Sequence, residues 1–105
     1  MLTLQNLQEI HVIAQNAVGL NPNADHGGGC GFGWVAVHGL RKNDKNPIRK
    51  VLEDYGFKFS YDKSFQLWVH GYGQSEHAKS AYANAFAAEL RKLGIEKAYG
   101  CSRAD

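Results

Sequence analysis

The segment Gly31-Phe32-Gly33-Trp34-Val35-Ala36-Val37 limits the fold more than any other stretch of the chain. Aromatic and β-branched residues favour a strand, and period-2 alternation sends Val35 and Val37 to one face and Phe32 and Trp34 to the other. A strand that is apolar on both faces needs cover on both, or it leaves an aromatic surface open. Cover is scarce, because 105 residues make one domain with a single two-layer core. Hydrophobic content of 44% against 21% charged residues excludes a wholly disordered chain.

The neighbouring segments read as an alternation of helices and strands. Residues 6 to 19 form a helix opened by Asn6 and Glu9 in a capping-box-like start and closed by Gly19. Its apolar positions, among them Leu7, Ile10, Val12, Ile13, Ala14 and Val18, wrap more than half the circumference, so it wants burial on more than one side. Residues 21–30 read as a glycine-rich linker. After the strand at 31–38, Asn46 caps a second helix with Pro47 in its first turn, and Ile48, Val51, Leu52 and Tyr55 form its apolar stripe up to Gly56. Phe57–Tyr61 and Phe65–His70 alternate as two strands. Ser75 caps a third helix with the stripe Ala78, Tyr82, Phe86, Leu90 and Leu93, ended by Gly94. A short last strand spans about 97–101 and precedes a polar tail.

The expected fold is therefore α+β: an N-terminal helix over residues 1–20, the linker, and a ferredoxin-like β-α-β-β-α-β core over 31–105. Right-handed crossovers put both core helices on one side of a four-stranded, mainly antiparallel sheet, with the first and third strands central. Hairpin register decides which side chains share a face. A three-residue turn, Asp62-Lys63-Ser64, pairs Tyr61 with Phe65, Phe59 with Leu67 and Phe57 with Val69, which makes one face wholly apolar. Phe32, Trp34, Ala36, His38, Lys58, Ser60, Gln66, Trp68 and His70 then share the other face.

An aromatic sheet face flanked by cations is how unpaired bases are stacked. The charge is unevenly placed: residues 1–30 hold Glu9 and Asp25 with no Lys or Arg, so all twelve basic residues lie in the core. The densest group is Arg41, Lys42, Lys45, Arg49 and Lys50, which permits a nucleic-acid partner. Gly31–Val37 resembles the aromatic sheet motif of RNA-recognition-motif domains, whose pattern is Gly-aromatic-Gly/Ala-aromatic-aliphatic. That resemblance implies base stacking by Phe32 and Trp34. It departs from the family in having Cys30 where a basic residue is expected, and in lying on the first strand where the family uses the third. The whole of 30–105 resembles small proteins encoded by bacteriophages and prophages: Cys30-Gly31-Phe32-Gly33-Trp34-Val35, Trp68-Val69, Gly73-Gln74-Ser75, an Ala-rich helix, Ala98-Tyr99 and Ser102-Arg103-Ala104-Asp105. It carries over no catalytic residue. It implies a viral accessory role, such as blocking a host defence complex, for example a CRISPR effector, or handling nucleic acid.

The open face has rival occupants. The N-terminal helix can fold back over it through the linker, and a homodimer can bury it. Other chemistry finds little support. The glycines of His26-Gly27-Gly28-Gly29-Cys30 lead into a strand with no Lys-Ser/Thr after them, against a phosphate loop, and no Gly-x-Ser-x-Gly elbow accompanies them. His26, Cys30, His38, His70, His77 and Cys101 lack metal-ligand spacing. The absence of a basic leader and of any apolar run near the roughly 20 residues of a membrane span leads us to expect free thiols, no membrane and a cytoplasmic setting, that of the host if the chain is phage-encoded. The expected function is non-enzymatic binding without cofactor or metal, to single-stranded nucleic acid or a host protein complex. Phe32, Trp34, His38, Lys58, Trp68 and His70 form one surface for it, and Arg41, Lys42, Lys45, Arg49 and Lys50 a second. A dimeric protein–protein inhibitor is the chief alternative, and an enzyme using Cys30 with His38 or His70 a minor one.

Overall fold

The computed structural model describes residues 2–20, 31–70 and 76–104. The linker at 21–30, with His26 and Cys30, and the Tyr72, Gln74 and Ser75 junction lie outside them. In chain order the elements are α1 (Leu4–Leu20), β1 (Gly31–Val37), α2 (Pro47–Tyr55), β2 (Lys58–Phe59), β3 (Phe65–Trp68), α3 (Glu76–Lys92) and β4 (Ala98–Ala104). The four strands form one open sheet in the order β2-β3-β1-β4, and every neighbouring pair is antiparallel. The protein is thus α+β, with three helices and a four-stranded antiparallel sheet.

The cap of α1 lies three residues before the expected one. Thr3 is its cap: Asn6 N–H donates to Thr3 Oγ1 at 3.1 Å and Thr3 N–H donates to Asn6 Oδ1 at 3.0 Å. Asn6 therefore holds the reciprocal role that the sequence pattern gave to Glu9. Leu7, Ile10, Ala14 and Val18 bury one side of α1 against α3 and α2, while Val12 and Ile13 stay exposed. Near the middle, His11 Nδ1 and the Tyr82 hydroxyl of α3 are hydrogen-bonded at 2.5 Å. Burial pushes the Tyr55 phenol of α2 upward, against a smaller opposing contribution from Tyr82. The fold-back over the open sheet face does not occur; α1 joins the helical side, where the apolar flank of α3 offers a matching surface.

α2 begins as its sequence dictates, with Ile48 N–H donating to the Asn46 side chain at 3.0 Å and Pro47 in the first turn. α3 buries Ala78, Tyr82, Phe86 and Leu90, but Leu93 lies past the helix end and is 52% exposed. Ile95 takes its place, folding under the helix as its N–H donates to Leu90 O at 3.1 Å.

The hairpin turns two residues from the expected register. Phe59 pairs with Phe65 and Lys58 with Gln66. Lys63 N–H donates to Ser60 O at 2.9 Å and Lys63 takes a left-handed φ of 65°. The loop is therefore a type I turn plus a left-handed residue, Tyr61-Asp62-Lys63, and not Asp62-Lys63-Ser64. Asp62 explains the shift, since its carboxylate accepts from both the N–H (3.1 Å) and the hydroxyl (2.7 Å) of Ser64. A slip of two preserves parity, so Phe57, Phe65 and Leu67 still lie with Val35 and Val37 on the helical side. Tyr61 loses its partner and stands 99% exposed in the turn. β2 is shorter than the alternation suggests, whereas β4 runs on through the stretch read as a polar tail.

α3 lies directly on β1 and β4 because two glycines face it. A Cβ at Gly33 would stand 2.8 Å from Lys79 Cβ, and one at Gly100 would stand 2.6 Å from the backbone nitrogen of Asn84. No larger residue fits either position at this helix-to-sheet distance.

Candidate binding face

The side of the sheet away from the helices carries Phe32, Trp34 and Ala36 from β1, Gln66 and Trp68 from β3, Lys58 from β2, and Tyr99, Cys101 and Arg103 from β4. Val69 N–H donates to Gly33 O at 2.9 Å, which makes Gly33/Val69 a hydrogen-bonded pair. Its neighbour Trp34/Trp68 is therefore the close, non-hydrogen-bonded kind. The two indoles accordingly stack, with centroids 4.7 Å apart and planes 22° from parallel. Phe32 meets Trp68 edge-on at 5.9 Å. The aromatics thus form one mutually packed cluster, not a set of separate platforms. Phe32 is 37% and Trp68 40% exposed, while Trp34 is half-buried between them and β4.

A hydrogen-bonded chain fixes Trp68. Its indole N–H donates to Gln66 Oε1 at 3.1 Å, and Gln66 Nε2 donates in turn to Asp62 Oδ2 at 3.2 Å and Ser64 Oγ at 3.3 Å. Gln66 is buried beneath the aromatics with both amide hydrogens and its carbonyl oxygen engaged. The Ser64 hydroxyl above all holds the Asp62 carboxyl below the usual carboxylate range, with further help from the Ser64 amide, His38 and Gln66. Trp68 also lines a cleft of about 560 Å³ with Lys58, His70, Gln66, Ser60 and, from the far side of the sheet edge, Tyr55, Gly56, Phe59 and Leu67. The cleft exists because β2 begins only at Lys58, opposite Gln66, so the outer side of β3 has no strand partner beside Trp68. Its volume falls in the range of small-molecule pockets.

Two cations bracket Phe32. The Arg103 guanidinium lies 5.6 Å from the ring centroid and Lys79 Nζ lies 5.9 Å from it. Lys79 is a buried lysine of α3 whose ammonium donates to Gly31 O at 3.0 Å. At the other end of the face, His38 tilts against Tyr99 with centroids 5.9 Å apart. Of the residues singled out in the sequence, Phe32, Trp34 and Trp68 thus come together, Lys58 and His70 flank the cleft, and His38 stands apart with Tyr99.

The second expected surface is carried by other elements. Arg41, Lys42 and Lys45 lie in the loop after β1, and Arg49 and Lys50 on α2. Arg41 pairs with Asp44 at 3.9 Å, and Arg49 is held by Glu53 and by Asp44 O. Lys42, Lys45 and Lys50 remain as exposed cations. The sequence expectation omits Arg103 because a last strand of about 97–101 stops short of it, and omits Tyr99 because the two faces of that strand are not assigned there. The alternation Tyr99, Cys101, Arg103 was the available signal.

Among the described residues no group of His, Cys, Asp and Glu is arranged to hold a metal ion, and no helix is long and apolar enough to cross a membrane. Burial pushes the Cys101 thiol up, with Asp62 adding to the effect, so this sulfur is kept in its less nucleophilic form. No family model, no curated protein and no solved structure matches the chain.

Proposed function

We propose that this is a non-enzymatic binding protein whose open sheet face takes unstacked bases of single-stranded nucleic acid. The observation that carries the reading is the setting of Trp68: it is pinned from one side by Trp34, held through its N–H by Gln66, and opens onto the cleft beside Lys58. A base entering the cleft gains an aromatic wall, and Lys58 lies within the same lining for its phosphate. Arg103 supplies a second cation beside Phe32 at the opposite edge. Stacking is worth about 1–3 kcal/mol per base, so one or two sites give weak affinity that backbone charge must supplement. The succession β-α-β-β-α-β with β1 and β3 central supports a ferredoxin-like reading of the core, a frame that leaves one sheet face free for such contacts. In the setting that the phage resemblance implies, the nucleic acid would belong to a host nucleic-acid-handling complex.

Titration with short single-stranded oligonucleotides at low salt tests this directly. Tryptophan fluorescence is expected to be quenched, and the quenching to weaken steeply as salt is added. Folded protein whose fluorescence is indifferent to oligonucleotide at low salt would remove the reading.

A further inference from the structure

β4 is an edge strand of seven residues with neither proline nor bulge, and its backbone has a free side that can be assigned residue by residue. His38 N–H donates to Lys97 O at 3.0 Å in the β1/β4 register. Counting on by twos, Tyr99, Cys101 and Arg103 turn their N–H and C=O groups inward to β1. Ala98, Gly100 and Ser102 turn theirs outward. The Ala98 carbonyl is already taken, by Arg91 Nη1 at 2.6 Å. No described residue outside the sheet takes the outward groups of Gly100 and Ser102. Such an edge is a template for another strand.

We propose that a second copy of this chain pairs here, β4 against β4 about a two-fold axis, to give a continuous eight-stranded sheet. The register is fixed by what stands opposite. Centring the axis on Cys101 makes Gly100 of one copy and Ser102 of the other a hydrogen-bonded pair, twice over, using the groups that are free. The same register sets Tyr99 of each copy opposite Arg103 of the other, a cation facing an aromatic ring on the open side. Centring on Gly100 would set Arg103 opposite Lys97, like charge against like. Centring on Tyr99 would require the Ala98 carbonyl that Arg91 occupies. Arg91 therefore ends the ladder after the favoured pairs.

The helical layer permits the approach. Asn84 lies over Gly100 and Arg91 reaches Ala98 O, which marks the side of α3 that faces the edge. Ser80 and Ala88 complete that side at helical spacing. These short side chains let two antiparallel copies of α3 lie next to each other above the joined strands. The interface meets the aromatic cluster only at Arg103, whose guanidinium also lies beside Phe32; it leaves Trp34 and Trp68 uncovered and brings two copies of the open face into one plane. It does not depend on nucleic-acid binding.

The test is the mass of the nucleic-acid-free protein by light scattering, with Ser102→Pro beside the wild type. Proline is tolerated where an edge strand's N–H points outward, and it removes a ladder donor. A wild-type dimer and a Ser102→Pro monomer with an unchanged circular dichroism spectrum are expected. A wild type that stays monomeric to its solubility limit, or a Ser102→Pro variant as dimeric as the wild type, would overturn the proposal. Oxidative crosslinking at alkaline pH, where the raised Cys101 thiol ionises, in a Cys30→Ser background reads the register: opposed non-hydrogen-bonded cysteines are within disulfide reach, so Cys101–Cys101 linkage is expected, lost in Ser102→Pro. A dimer that fails to link through Cys101 would refute this register.

Discussion

Trp34 and Trp68 face each other across β1 and β3 with their rings 4.7 Å apart, and only Trp68 reaches the cleft. The two are therefore unequal. Trp34→Ala should destabilise the fold by about 2–3 kcal/mol, since that ring is half-buried, and Trp68→Ala by about 1–2 kcal/mol. Denaturant melts give these values. Oligonucleotide quenching should survive the first change better than the second, in protein that remains folded. Circular dichroism should show exciton coupling of the stacked indoles, and either substitution should abolish it.

Under the proposed function Lys58 and Arg103 would meet phosphates, since one lines the cleft and the other lies beside Phe32, whereas Arg49 is engaged with Glu53 and Asp44. Lys58→Ala and Arg103→Ala should each lower the slope of log affinity against log salt by about 1. Arg49→Ala should leave that slope unchanged. A larger effect from Arg49 than from Lys58 would move the nucleic-acid path off the sheet and onto α2.

Gly33→Ala and Gly100→Ala each force a methyl group into α3. Each should cost about 1–3 kcal/mol, as overpacking does. Equilibrium unfolding checks this, and an Ala variant as stable as the wild type at either position would mean that α3 rides higher on the sheet than described.

Acid should weaken the protein through Asp62 and Asp44. Hydrogen bonds, from the Ser64 hydroxyl to Asp62 and from the Asn46 amide to Asp44, lower both carboxyls below their ordinary value of 3.8. Carboxylates with depressed folded values bind protons less readily than in the unfolded chain, so their contribution is fully present above about pH 4 and is lost as pH falls through the folded values. Asp62→Asn should flatten the acid limb of the stability curve and leave the limb above neutrality unchanged. Asp62→Asn should also loosen Trp68, seen as a red shift in its emission.

Much of this arrangement was legible in the chain. The stripes of α2 and α3 and the caps at Asn46 and Gly94 fixed two helices, because those signals are local. Parity did the rest for the sheet: Trp34 and Trp68 share a face in either odd-length turn, so the two-residue slip at Asp62 moved partners without moving faces. What escaped was set at a distance or by a single side chain. Nothing within 6–19 says that α1 prefers the flank of α3, since its apolar wrap suits several surfaces equally. The polar appearance of Ser102 and Arg103 hid the end of the last strand, which is held there by backbone pairing to β1 while both side chains stay exposed. Gln66 reads as one more polar residue on an alternating strand until Asp62 folds back to meet it.

The seating of α3 on Gly33 and Gly100 has a consequence on the opposite side of the sheet. With the helix backbone in direct contact, β1 and β4 have no slack to bend inward when something presses on Phe32 or Trp34. The aromatic cluster therefore behaves as an anvil, and whatever settles on it bears the entropy of adjustment alone. Two residues without side chains, hidden beneath a helix, thus decide which side of an encounter must change shape.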